Sequence, residues 1–248
     1  MADNSAAADA RRATVSLVVD GWPDDVRRCV DALLRHTSDD VVVQVLDLGN
    51  VDGAGDALHE FACARVEEWH VATPLSSWAA ARNALLRADV ARIHAWADLS
   101  TLFKGDALSP LLHAIDESTD VVAAGWRGVN VDLGDEWRSF SDATPGDVDA
   151  ILGYLFAFRR SAGLAANGVH PKARFYRNAD IEFSFALREA AGAGARLVMP
   201  AADLPVEQAR HHGYYDSDPA FREAESTKTY NRFLQRFRGR EGLLAPRP

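Results

Sequence analysis

The sequence predicts an α/β fold: a mostly parallel sheet with helices on both faces, followed by an irregular second half. Three observations carry this. Short β-branched runs alternate with amphipathic segments about five times between residues 14 and 125. Three of those runs end on an aspartate: Asp20, Asp47 and Asp98. Beyond residue 126 the rhythm stops, and residues 129–145 are polar and rich in Gly and Asp.

Each element has its own warrant. Residues 14–20 (TVSLVVD) read as a first strand closing at Asp20-Gly21. Asp24 is placed to cap a helix over 25–36, in which Val26, Val30, Leu33 and Leu34 recur at helical spacing. Residues 41–47 form a second apolar strand, 48–55 a loop rich in turn residues, and 56–64 a helix. Residues 66–71 suit a strand despite Glu67 and Glu68. Ser76 or Ser77 can cap the Ala-rich helix 78–88. A buried strand, 93–97, then delivers Asp98, and a helix over 106–116 leads to a strand over 121–125. In the second half, 148–160 becomes a buried strand and Asp180 opens an apolar helix ending at Gly192 and Gly194. Residues 196–199 suit one more strand, and 227–238 a helix packed through Tyr230, Phe233, Leu234 and Phe237.

Bulk properties narrow the function. Net charge is -9 over 248 residues, which disfavours nucleic acid and anionic membrane as partners. No apolar run reaches the roughly 18 residues of a transmembrane helix. Residues 1–13 lack an apolar core and read as a disordered leader rather than a secretory signal. Cys29 and Cys63 have no metal spacing and read as buried free thiols of a cytoplasmic protein. The first strand is followed by Asp20-Gly21-Trp22-Pro23, with no G-x-G-x-x-G turn; the P-loop and the G-x-S-x-G elbow are also missing.

In a parallel sheet, strand-end aspartates emerge on the carboxyl edge, where ligands bind. Asp20, Asp47 and Asp98 therefore form either a shared site needing hydrogen-bond donors or a metal ion, or three independent turn formers. Asp180 has a similar double reading, as a functional carboxylate or as an ordinary first-turn helix residue. His211 and His212 are adjacent, so at most one of them can face a given ion.

Taken in order, these features resemble the family 2 glycosyltransferases of GT-A fold, over roughly residues 14–212. Residues 46–53 (LDLGNVDG) are similar to that family's D-N-G-S-x-D-G segment, and Ala80-Ala81-Arg82-Asn83-Ala84 to its A-x-R-N-x helix. Asp98-Leu99-Ser100 falls where the family has D-x-D, residues 153–160 where it has G-x-x-x-x-F-R-R, and Arg177-Asn178-Ala179-Asp180 where it has E-D-x-D. The resemblance implies a nucleotide-binding half (14–126), an acceptor and catalytic half of the same domain (127–215), and a C-terminal helix and tail (216–248).

It also implies an inverting hexosyltransferase. The donor is a UDP- or GDP-linked sugar bound by Asp20, Asp47, Arg82, Asp98, Ser100 and Gly153, and the acceptor is unspecified. A divalent ion, Mn or Mg, is implied at Asp98 and His211, with chemistry at Asp180 and Asn178. Self-association into a homo-oligomer is compatible with it. Two positions depart from the pattern. Ser100 replaces the usual metal-binding carboxylate, and Asn178 replaces the usual base, which an amide cannot be. Asp180 is then the nearest candidate base. The alternative is a GT-A-like module that binds nucleotide or nucleotide-sugar without turnover. A nucleotidyltransferase would want a basic Gly-rich loop after the first strand, which this chain lacks.

Overall fold

The computed structural model describes residues 11–72, 77–201 and 203–247. An eight-stranded, mainly parallel sheet forms the centre. Its strands, in chain order, are β1 (Ala13–Val19), β2 (Val41–Leu48), β3 (Val66–Val71), β4 (Ile93–Ala97), β6 (Val121–Gly125), β9 (Gly146–Asp147), β11 (Leu155–Arg159) and β12 (Arg196–Met199). The spatial order is β3-β2-β1-β4-β11-β6-β12-β9. Strands β3, β2, β1 and β4 are parallel, as are β6 and β12, whereas β11 runs antiparallel between β4 and β6.

The crossovers are helices α1 (Pro23–His36), α2 (Ala54–Leu58), α3 (Trp78–Ala88) and α4 (Ser109–Glu117). In α1, Val26, Cys29, Val30 and Leu33 make one buried stripe at i, i+3, i+4, i+7 against β1 and β2. Strands β1, β2 and β4 are buried on both faces, hence their near-continuous apolar runs, whereas the edge strand β3 is only partly covered. The opposite face carries a second core in which Trp96, Phe156, Phe158 and Phe183 meet edge to face or stacked.

Several expectations need correction. Residues 129–145 are not a plain loop: β7 (Gly128–Val131) and β8 (Phe140–Asp142) pair antiparallel there, and β10 (Ala150–Ile151) joins β7. The helix expected over 56–64 is only α2 followed by one 3-10 turn, His59–Phe61. Asp24 is not the cap of α1; Trp22, in the left-handed region at φ 58°, precedes Pro23 at the first helical position, where a missing N–H costs nothing. Cys63 is exposed, and only Cys29 is buried. Of the expected leader, residues 1–10 lie outside the described residues. Arg11 pairs with Glu67, Arg12 with Asp116, and Ala13 already belongs to β1. Ser76 lies outside the described residues too; Ser77 caps α3, accepting from Ala80 N at 3.1 Å.

The remaining helices are α5 (Arg160–Ala165), α6 (Ala179–Ala191), the short α7 (His212–Tyr215) and α8 (Pro219–Phe237); β5 (Thr101–Phe103) pairs with β13 (Val206–Gln208). Helix α8 begins eight residues before the predicted 227 and packs Phe233 and Phe237 onto Phe185 of α6. No described helix is long and apolar enough to cross a membrane.

Candidate active site

The reversal of β11 creates the site. Because β11 runs against β4, Leu155 lies opposite Ala97, and the residues entering β11 arrive beside those leaving β4. Asp98 N donates to Tyr154 O at 3.1 Å. One residue earlier, Gly153 N donates to Asp180 Oδ2 at 2.8 Å, tying the start of α6 to the same edge. Residues far apart in sequence thus meet at the carboxyl end of β4, where an open α/β sheet receives its ligand.

Asp98 is held on both sides. One oxygen accepts from Ser100 N (2.8 Å) and Ser100 Oγ (2.6 Å), and the other faces His211 Nε2 at 3.1 Å. Burial raises the Asp98 pKa, but the bonds from His211 and Ser100 outweigh it and bring the carboxyl down to about 2. Ser100 is buried and spends its hydroxyl proton on Asp98, so it supports the carboxylate instead of replacing a second one. His211 is stacked on Tyr176, whose hydroxyl is 3.4 Å from His211 Nδ1. Tyr176 was not singled out in the sequence; its position two residues before Asn178 in a polar loop was the only signal.

Arg82 and Asn83 have architectural partners. Arg82, only 3% exposed, donates to Ser16 O (2.8 Å) and Ala97 O (3.0 Å), bridging β1 and β4, while its Nε has no protein partner. Burial lowers its pKa to about 10, with Asp98 and Asp20 opposing that shift. Asn83 bonds both the N–H and the carbonyl of Val169, each at 2.8 Å. The sequential R-N pair thus fastens α3 to the sheet and to the loop after α5. Arg159 likewise donates to Val121 O and Ser118 O, and Arg160 to Leu86 O, so neither basic residue of 153–160 lines the cleft.

Two cavities, about 220 and 330 Å³, open here, and Trp78, Arg82, Asp98, Tyr176 and His211 line both. The larger one adds Asp20, Arg174 and Leu48. Desolvation in the cleft, together with the Asp98 charge, raises the Asp20 pKa. The smaller cavity adds Gly153, Tyr154, Asn178 and Asp180. Burial raises the Asp180 pKa to about 6 despite N–H bonds from Gly153 and Ile181. Asn178 sits in the left-handed region at φ 67°, and its amide donates to Ser226 O of α8 at 3.2 Å. It therefore anchors the turn into α6.

Asp47 does not share this cleft. It stands on the same sheet edge, in register with Val19, but it lines a separate cavity of about 500 Å³ with Asn50, His59 and His70. Its carboxylate accepts from Asn50 N at 3.0 Å and bonds His70 Nδ1 at 3.2 Å. One strand of lateral displacement separates it from Asp20 and two from Asp98, which no sequence pattern reports.

The Asp98 and His211 donor atoms suit one divalent ion: 3.1 Å is close to the roughly 3.0 Å edge between neighbouring ligands of an octahedral ion at about 2.1 Å. Ser100 does not complete that set, because its hydroxyl is committed to Asp98.

The fold is that of the GT-A glycosyltransferases. A crystal structure of GalNAc-T7 with UDP, GalNAc and Mn2+ superposes with a TM-score of 0.70 at 14% identity, covering 91% of this chain and 48% of that one. The mannosyltransferase PcManGT from Pyrobaculum calidifontis, in complex with GDP-Man and Mn2+, superposes with a TM-score of 0.65 at 20% identity, covering 91% and 64%. The chain thus spans about half of the first protein and just under two thirds of the second. No family model matches the sequence, and no curated protein matches it. At these identities the likeness speaks for the fold.

Proposed function

We propose that this chain is a glycosyltransferase that moves a hexosyl group from a UDP- or GDP-linked sugar to an acceptor hydroxyl, with inversion. The observation that carries this reading is the wall of Arg82, Asp98 and His211 shared by two cavities, one holding Asp20 and the other Asp180. The GT-A fold supports it, as do the nucleotide-sugar complexes of the two similar structures.

In this reading the donor lies in the 330 Å³ cavity, with Asp20 accepting from its nucleoside and Trp78 and Tyr176 walling the sugar. The acceptor enters the 220 Å³ cavity. The acceptor oxygen bonds to the anomeric carbon, its proton passes to Asp180, and the anomeric carbon–oxygen bond breaks with its electron pair leaving on the diphosphate. A base with pKa about 6 is ionised at neutral pH and is matched to that transfer. Nucleophile and leaving group held in different cavities suit in-line displacement, hence inversion. Asp98 and His211 would hold a divalent ion, which when bound supplies Lewis-acid neutralisation of the diphosphate. Arg82, charged and buried behind Asp98, adds positive potential to the same wall without leaving its backbone partners. Asp47, bonded to Asn50 and His70, takes no part.

Calorimetric titration with UDP- and GDP-sugars, with and without manganese, tests donor binding; no heat at millimolar donor overturns the proposal. Donor binding without hydrolysis or transfer across an acceptor panel would instead make the chain a nucleotide-sugar-binding protein.

A further inference from the structure

Outside the cleft, one other group of side chains converges. His59, on the 3-10 turn after α2, stands over the edge strand β3, where Glu68 and His70 share a face because they are two residues apart. One donor atom from each of the three lies within 4.8 Å of the others, the one such group of three among the described residues. The Nε2 atoms of both imidazoles lie near the same carboxylate oxygen: Glu68 Oε2 is 3.9 Å from that of His59 and 3.5 Å from that of His70.

The tautomer of His70 makes this more than a surface ion pair. Asp47, only 1% exposed, is the register partner of His70 on β2 and lies 3.2 Å from its Nδ1. Asp47 is itself fixed by Asn50 N and by the close approach of Gly55, where a Cβ would come within 2.7 Å of Oδ2. With the Nδ1 proton given to Asp47, the Nε2 lone pair of His70 faces a carboxylate lone pair. A cation between them relieves that contact. A proton could serve that one contact, but a single metal ion serves His59 as well. A carboxylate behind a histidine ligand is also how proteins fix the metal-binding tautomer.

We propose that His59, Glu68 and His70 form a transition-metal site, with zinc the ion its donors suit and Asp47 orienting His70. Two imidazoles and one carboxylate are a zinc donor set that leaves a fourth tetrahedral position free. Tetrahedral ligands at about 2.0–2.1 Å stand roughly 3.3 Å apart, so the 3.5 and 3.9 Å sides contract by well under an ångström and the third, within 4.8 Å, by at most about 1.5 Å. His59 is exposed and can supply that movement. His59 and His70 line the 500 Å³ cavity together with Asp47 and Asn50, which would give a bound ion access to water or an anionic oxygen ligand. This site is separate from the Asp98–His211 pair and does not depend on sugar transfer.

The test uses untagged full-length protein and no nucleotide. Zinc is titrated against a chromophoric chelator, and cobalt(II) is substituted to read its visible d–d absorption. The expected result is one zinc per chain and an intense four-coordinate cobalt band. Affinity should fall about 100-fold or more in His59→Ala and in His70→Ala, and about 10- to 100-fold in Asp47→Asn, which leaves every ligand in place. His211→Ala should leave zinc affinity within about threefold, since its ring touches none of these residues. His59 is exposed, so His59→Ala keeps the fold and decides the matter alone. Zinc affinity unchanged in His59→Ala, loss confined to His211→Ala, or no stoichiometric zinc binding at micromolar concentration would each overturn the proposal.

Discussion

Two aspartate–histidine pairs sit at opposite ends of the same strand. At the amino end of β4, His94 Nδ1 meets Asp89 Oδ2 at 2.7 Å, with both side chains wholly buried. Asp89 also accepts from Thr14 Oγ1 and Ala91 N. At the carboxyl end, His211 and Asp98 make the same contact at 3.1 Å on the wall of two cavities. Burial raises the Asp89 pKa, but the bonds from His94 and Thr14 outweigh it, and the net shift is downward. Burial also lowers the His94 pKa, with the bond to Asp89 opposing it. The chemical groups are alike; access differs. A carboxylate saturated by protein donors with no space beside it holds strand β1 to β4, whereas one that keeps an oxygen toward a cavity can exchange a protein partner for a ligand.

The largest expected effect lies next to the carboxyl-end pair. Asp180→Asn should lower transfer about 10²- to 10⁴-fold with donor affinity nearly intact; unchanged turnover removes Asp180 as base. In the native protein the rate of transfer should fall with decreasing pH through about 6, as Asp180 takes up its proton. The stability sign is the reverse. A carboxyl whose folded pKa is raised favours the fold fully below about 4, and that contribution is lost as pH rises through about 6. Melting curves should therefore show Asp180→Asn gaining on the native protein between about pH 4 and pH 6, with the difference level above that.

Breaking the amino-end pair should cost stability instead. Asp89→Ala strands His94 and Thr14 in the core, a loss of about 3–5 kcal/mol, read as a drop in Tm of roughly 6 °C or more. The folded fraction should bind donor as before, and a parallel loss of affinity would erase the contrast. Asp98→Asn should show the opposite balance: donor affinity about 30-fold weaker, equivalent to about 2 kcal/mol, and a smaller Tm change than Asp89→Ala. The smallest effect should come from Ser100→Ala, which leaves the backbone N–H on Asp98. About 1 kcal/mol of donor affinity, roughly fivefold by calorimetry, is expected.

The two halves of the chain differed in how readable they were. Strands β1, β2 and β4 and helices α1 and α3 follow local rules, since each carries apolar residues at the right period and is bounded by a cap or a turn. Residues 129–145 gave no such signal because β7 and β8 are short and polar on one side, and they exist only through pairing with each other and with β10. The helix expected over 56–64 starts earlier and stops sooner: it enters at Ala54 straight from the left-handed Gly53 and passes into a 3-10 turn at His59, a change of winding with no marker in the residues. Arg82 stood out by motif, but its role in bridging β1 and β4 through Ser16 O and Ala97 O is a tertiary fact.

By itself the sequence determined the main strands and crossover helices of the first half, and that carboxylates stand at the ends of three of those strands, because period, β-branching and turn residues act within a few positions. Tertiary structure alone decided which carboxylates meet. Strand order put Asp47 out beside His70, and the antiparallel insertion of β11 carried Gly153 and Asp180 in beside Asp98. Strand order and direction follow from long-range pairing and packing, which leave no periodic trace in the residues that obey them.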